Sequence, residues 1–128
     1  MHLSKFTYYS LRTLVYLANN RENVFTTEEL SNKLEVSRHH LKKIINKLGK
    51  TEFIISTKGR TGGIMLGLDP KDINLGELIS ITEKNLNMEE CFYKNNCINP
   101  NCKIKGVIQS ALNEFINEFS KYYLSDIL

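Results

Sequence analysis

Thr26-Thr27-Glu28-Glu29-Leu30-Ser31-Asn32-Lys33-Leu34-Glu35-Val36-Ser37-Arg38-His39-His40-Leu41-Lys42-Lys43-Ile44-Ile45-Asn46-Lys47-Leu48-Gly49 decides the fold. Thr26 and Glu29 stand in the Thr-x-x-Glu order of a capping box, which satisfies two backbone N–H groups left unpaired at a helix start. A short helix through Leu34 follows. Ser37 is placed to cap a second helix, whose Leu41, Ile44, Ile45 and Leu48 recur at helical steps, and Gly49 is placed to end it. Two helices parted by about three residues make a helix-turn-helix.

Downstream, Phe53-Ile54-Ile55-Ser56-Thr57 is β-rich, Lys58-Gly59-Arg60-Thr61-Gly62-Gly63 is turn-rich, and Ile64-Met65-Leu66 returns. A helix-turn-helix that runs into a glycine-tipped hairpin predicts a winged helix. Upstream, Leu3, Phe6, Leu11, Leu14, Val15, Leu17 and Ala18 predict a helix over residues 3–19. Asp69-Pro70 breaks the chain, and Asn74 with Glu77 marks a second capping box for a helix from Asn74 to Ile81. Residues 85–103 are polar. Ile104, Val107, Ile108, Ala111, Leu112, Phe115, Ile116 and Phe119 then form one apolar stripe on a final helix, with Tyr122 and Tyr123 near its end. The fold class expected is mainly α with a small β-hairpin wing.

The 128 residues suffice for one ordinary domain. No stretch approaches the ~18–20 apolar residues of a membrane span. Met1-His2-Leu3-Ser4-Lys5 opens no apolar signal segment, so a cytoplasmic location is expected. There is no convergent acid–base pair, phosphate loop or activated nucleophile, and an enzyme is not expected.

The net charge of +3 hides an uneven distribution. Residues 1–63 carry eleven Lys/Arg against five Asp/Glu, whereas residues 64–128 carry six against nine. Arg38, Lys42, Lys43, Lys47, Lys50, Lys58 and Arg60 face a single acid, Glu52, between positions 38 and 60. Such a stretch is the footprint of a polyanion site, against the plainer reading of a solvated helix face. Arg38, His39 and His40 at the start of the second helix oppose its dipole, a conflict that a DNA phosphate would remove. Arg38, His39 and Lys42 are therefore candidates for major-groove contacts, with His40 beside them. Lys43 and Lys47 suit phosphates, and Lys58 and Arg60 suit a minor groove. Thr27, Ser37 and Thr61 complete the candidate DNA-binding set.

Cys91, Cys97 and Cys102 are the only cysteines and fall within twelve positions. An odd number argues against a disulfide framework. Their spacing is neither that of a zinc ribbon nor that of a ferredoxin. Three thiolates this close can cradle an iron–sulfur centre one ligand short of four, a zinc ion with a borrowed ligand, or nothing. All three histidines lie in the first forty residues.

Thr27-Glu28-Glu29-Leu30, Val36-Ser37-Arg38-His39-His40-Leu41-Lys42-Lys43-Ile44 and Gly59-Arg60-Thr61-Gly62-Gly63-Ile64 resemble the NsrR/IscR family of dimeric winged-helix repressors. The likeness runs essentially end to end. Leu3-Ser4-Lys5-Phe6-Thr7, the run from Cys97 to Lys105 and the tail from Tyr123 to Leu128 are similar to the branch that senses nitric oxide. The resemblance implies a winged helix-turn-helix DNA-binding domain over residues 1–68. Residues 69–128 would hold a cysteine loop and a long C-terminal dimerisation helix, in one compact unit with the first part. It also implies a homodimer on a pseudo-palindromic operator of double-stranded DNA. Cys91, Cys97 and Cys102 would hold a 4Fe–4S or 2Fe–2S cluster, and nitric oxide would act on it to release the DNA. The resemblance breaks at the fourth ligand. The two positions where relatives carry it hold Tyr8, which would come from the partner chain, and Lys105. A Tyr8 phenolate, water, a small thiol, Glu89 or Glu90 are the candidates that remain.

Overall fold

The computed structural model describes residues 2–84, 86 and 103–128. Its elements are α1 (Lys5–Asn19), α2 (Thr27–Leu34), α3 (Arg38–Leu48), β1 (Ile54–Thr57), β2 (Gly63–Leu66), α4 (Leu75–Thr82) and α5 (Lys103–Phe119). Single 3-10 turns cover Pro70–Asp72 and Leu124–Ile127. This is the winged-helix architecture that the sequence predicts.

Local chemistry sets the boundaries. Ser4 caps α1 by accepting the Thr7 N–H at 3.2 Å, so the helix starts at Lys5 rather than at Leu3. The Thr26–Glu29 box is complete: the Glu29 N–H donates to the Thr26 hydroxyl at 3.1 Å and the Thr26 N–H donates to Glu29 at 3.3 Å. Asn74 accepts the Glu77 N–H at 3.1 Å, and its amide donates instead to the Ser120 carbonyl at 2.8 Å, tying α4 to the end of α5. Gly49 ends α3 in right-handed backbone, with φ −67°. The left-handed residue of this region is Glu35, φ +55°, in the turn between α2 and α3. Val36 is buried beside it, and the Ser31 hydroxyl donates to the Val36 carbonyl at 2.6 Å.

The core lies between α1, α2 and α3. Leu14, Leu30, Leu41, Ile44 and Leu48 are fully buried there. The hairpin pairs Ile54 with Leu66 and Thr57 with Gly63 in antiparallel register. Phe25 and Ile64 exchange two backbone hydrogen bonds, 3.0 and 2.7 Å, which pin the wing to the segment before α2. Gly63 makes this approach possible, because a Cβ there would stand 2.6 Å from Val24 Cγ1 and 2.8 Å from the Phe25 carbonyl oxygen. Gly59 turns the tip with φ +108°.

The C-terminal part shows two features in detail. Tyr122 and Tyr123 lie beyond α5, because the chain turns at Ser120 and comes back. The Leu75 N–H donates to the Tyr122 carbonyl at 3.0 Å and the Leu124 N–H to the Ile73 carbonyl at 2.8 Å, seating Leu124 in the core. The apolar stripe of α5 is also wider than α4 can cover. Leu112 is buried, but Ile104 and Val107 are 58% and 63% exposed. No helix among the described residues is long and apolar enough to cross a membrane.

α4 meets the end of α5 through Gly76, where a Cβ would lie 2.8 Å from the Cα of Ser120, the first residue after that helix. Gly76→Ala should destabilise the protein by about 1–3 kcal/mol, read as a lower urea midpoint. Gly106, where an added Cβ meets nothing within 4 Å, is the control. Gly106→Ala should raise the midpoint, by about 0.5–1 kcal/mol. An unchanged midpoint in Gly76→Ala would contradict the tight α4–α5 contact.

Candidate nucleic-acid interface

α3 divides its side chains between two environments. Leu41, Ile44, Ile45 and Leu48 are buried, while Arg38, His39, Lys42, Lys43, Asn46 and Lys47 are exposed. Ser37, itself exposed, caps the helix by accepting the His40 N–H at 3.2 Å. The first turn holds no acidic residue. The positive end of the helix dipole and the Arg38 cation therefore coincide at the surface. Ion pairs among the described residues join Arg21 to Asp69 at 3.7 Å and Lys121 to Glu118 at 2.6 Å, and neither touches α3. A cationic helix end with no ion pair among the described residues is an arrangement that phosphate stabilises.

His39 and His40 are parted by the helix itself, since consecutive residues point about 100° apart. His39 is exposed with Arg38 and Lys42. His40 turns back to α1, half-buried, with its ring edge-on to Tyr9 at 5.1 Å and 6.1 Å from Phe6. The pair that the sequence presents as jointly DNA-facing thus has one outward and one inward member. Asn46 is an exposed residue of this region that charge and motif reasoning passed over, and Lys50, counted in the basic stretch but given no contact, is exposed as well. Counting helical steps from His39 would have found Asn46, seven residues and about two turns further along the same side.

In the wing, Lys58, Arg60 and Thr61 are exposed around the tip. The Gly62 N–H donates to the Gly59 carbonyl at 3.1 Å and the Gly63 N–H to the Thr57 hydroxyl at 3.2 Å, which fixes the loop that carries them. β1 packs against α3, so the wing is anchored to the helix that presents the other candidates. Thr27 is half-buried at the first position of α2.

A cleft of about 580 Å³ opens beside the start of α3. Ser4 and Phe6 of the α1 end, Ser37, His39, His40 and Lys43 of the α3 end, and Thr82, Glu83 and Lys84 at the end of α4 line it. Across its floor the Ser4 N–H donates to Glu83 Oε1 at 2.6 Å and the Thr7 hydroxyl to the Thr82 hydroxyl at 2.9 Å. Burial pushes the Glu83 carboxyl up, but hydrogen bonding with Thr7 and Ser4 and the nearby His2 outweigh it and hold the group below its ordinary value.

Tyr8 is 55% exposed on the other side of α1. With His2, Leu3, Lys5, Tyr9 and Arg12 it lines a second open cleft, and the Arg12 guanidinium lies 5.9 Å from the rings of Tyr8 and Tyr9. Lys105 is exposed in the first turn of α5. Cys91, Cys97 and Cys102, with Glu89 and Glu90, lie outside the described residues. Among the described residues no group of three His, Cys, Asp or Glu side chains could hold a metal ion.

Known proteins agree with this geometry. The "HTH-type transcriptional regulator NsrR" of Bacillus licheniformis is 39% identical over 132 aligned positions, which span 100% of this chain and 92% of that protein. The solved structure of T. potens IscR superposes with a TM-score of 0.75 at 20% identity, over 99% of this chain and 85% of the other. CymR of B. subtilis, described as its global cysteine regulator, superposes with a TM-score of 0.73 at 20% identity, over 99% and 95% of the two chains. The two superpositions establish a shared fold. Residues 3–128 match the family described as "Rrf2: Iron-dependent Transcriptional regulator". A winged helix whose α3 carries no acid in its first turn, matched over nearly its whole length, places the chain in the Rrf2 family of DNA-binding transcriptional regulators.

Proposed function

We propose that the chain is a homodimeric repressor that binds a pseudo-palindromic operator through α3 and the wing and senses nitric oxide through an iron–sulfur cluster. The observation that carries the DNA-binding part is the start of α3. There Arg38, His39, Lys42 and Lys43 are exposed and no acid shares the turn. Arg38, His39 and Lys42 read base edges in the major groove, and Lys43 and Lys47 meet phosphates. Lys58, Arg60 and Thr61 bring the wing tip to the neighbouring groove, and Ser37 and Thr27 lie at helix starts where backbone N–H groups face phosphate.

The dimer rests on α5. Ile104, Val107 and Ala111 are exposed on one side of a stripe whose other side packs on α4. Burying large aliphatic side chains stabilises by about 1.5–3 kcal/mol each, so a second copy of α5 has a sufficient reason to cover them. A two-fold dimer then reads half-sites about one helical turn, ~34–36 Å, apart or a multiple of it.

The sensor rests on Cys91, Cys97 and Cys102. Three thiols in a polar stretch between α4 and α5 are soft donors that suit iron, and the family is described as iron-dependent. A bound 4Fe–4S or 2Fe–2S cluster would supply iron with which nitric oxide reacts. Tyr8 is exposed and so accessible to a partner chain as the source of a fourth contact. Supporting the nitric-oxide reading is the 39% identity, over the full chain, to regulators named NsrR. The protein's own contribution is a shift between a DNA-binding and a non-binding arrangement.

Three outcomes are expected. Arg38→Ala should lose roughly 1–3 kcal/mol on a duplex selected by the wild-type chain from a random pool, with relaxed preference at one base pair. Equal weakening on every sequence would make Arg38 a phosphate contact. Val107→Glu should shift the protein from dimer to monomer in sedimentation equilibrium, and an unchanged mass would remove α5 from the interface. After anaerobic reconstitution, wild-type protein should bind iron and lose DNA affinity on addition of nitric oxide, whereas Cys97→Ala should hold no cluster. Equal iron and an equal response in that variant would sink the sensor assignment while leaving DNA binding intact.

A further inference from the structure

The polar bonds between α1 and the end of α4 are unlike the rest of the interior. Thr7 and Thr82 are buried, and their hydroxyls meet at 2.9 Å across a sequence separation of 75 residues. Thr82 also donates to the Leu78 carbonyl at 2.9 Å, and Ser4 to the Thr7 hydroxyl at 3.2 Å. Beside them, Glu83 takes the backbone N–H of Ser4 at 2.6 Å. Ser4 is the N-cap of α1, so this carboxylate holds the first turn of the helix from outside.

That first turn touches α3 directly. Phe6 lies 6.1 Å and Tyr9 5.1 Å from the His40 ring, and His40 is in the opening turn of α3. The contacts therefore run from Glu83 to Ser4, along one turn of α1 to Phe6 and Tyr9, and across to His40. Glu83 and Lys84 face His39, His40 and Lys43 over the same cleft. In sequence, Glu83 lies just ahead of the stretch that carries Cys91.

We propose that Glu83 is a positioning residue for α3: by holding the α1 N-terminus it fixes the ring packing of His40 and with it the orientation of the Arg38–Lys43 turn. This rests on the reading of α3 as the DNA-contacting helix, and it adds a route by which a change between α4 and α5 reaches that helix. Charge matters because a carboxylate accepts a stronger bond from an N–H than a neutral group does. Shape matters because Ser4 and Glu83 are both only half-buried, so the helix end has no deep packing to hold it otherwise.

The experiment compares full-length wild type, Glu83→Ala and Glu83→Gln. The first readout is the His40 ring signals in a proton–carbon NMR spectrum of the free protein, assigned by a His40→Gln control. The second is affinity for a duplex enriched from a random pool by the wild-type chain. Glu83→Ala should move the His40 signals and weaken binding about tenfold, with Arg38, Lys42 and Lys43 all intact. Glu83→Gln keeps one oxygen acceptor for the Ser4 N–H and should stay within about threefold, with His40 near its wild-type position. Should Glu83→Ala fail to fold, Thr82→Val cuts the same network at nearly constant volume and is read in the same way. Unmoved His40 signals in the folded variant overturn the proposal whatever the DNA result. If the wild-type chain enriches no duplex, the DNA assignment fails, and the His40 signals still decide whether Glu83 sets the opening turn of α3.

Discussion

Most of the described elements pack on α1. It packs against α2, α3, α4 and β2 and against the returning C-terminal turn. To do so it buries a polar strip, Thr7, Ser10 and Thr13, beside the aliphatic Leu14 and Leu17. A buried hydroxyl without a partner would be costly, and the helix answers this with its own backbone. Ser10 donates to the Phe6 carbonyl and Thr13 to the Tyr9 carbonyl, each at 2.7 Å. Among the described residues no buried side-chain polar atom lacks a partner. Small, self-satisfied side chains let neighbouring helices approach α1 closely, and that approach brings the end of α4 and the start of α3 to the same end of one helix.

The legible parts of the fold were those written in short-range chemistry. The Thr26–Glu29 box, the Ser37 cap and the 3.6-residue recurrence of Leu41, Ile44, Ile45 and Leu48 each involve neighbours in sequence. So does the glycine-tipped hairpin. What the sequence hid is long-range. The Thr7–Thr82 and Ser4–Glu83 bonds join positions 75 and 79 apart and carry no local signature. The return of Tyr122 and Leu124 onto Ile73 and Leu75 is hidden in the same way. The stripe on α5 was visible, but its division into a covered and an uncovered side depends on where α4 lies. The inward turn of His40 and the outward placement of Asn46 follow from helical geometry and needed only the buried face of α3 as a reference. The three cysteines lie outside the described residues, and their spacing is read from the sequence alone.

Electrostatics explains why a nearly neutral chain can favour a polyanion. A net charge of +3 gives little long-range attraction at physiological salt, where the screening length is about 8 Å. The relevant quantity is local. Within one turn of the α3 start, Arg38 and the N–H dipoles add, and no carboxylate in that turn offsets them. Free protein therefore holds this end at a disadvantage that bound phosphate removes. On the proposed reading of α3, the cationic turn would contribute to binding rather than to folding.

A switch built on this fold needs only a small lever. Tenfold in DNA affinity corresponds to about 1.4 kcal/mol. A hydrogen bond to a charged group contributes about 1.5–3 kcal/mol, and the lower end suits a half-buried group such as Glu83. One such bond, if broken in the non-binding arrangement and kept in the other, is thus the right size for a useful response. No rearrangement of the aliphatic core is required, and Leu14, Leu41 and Ile44 are fully buried within it. The core fixes the two helices as a pair, and the polar end of α1 sets how its first turn meets His40. Tight packing in one place and a replaceable charged bond in another would let the opening turn of α3 shift without unfolding the domain that carries it.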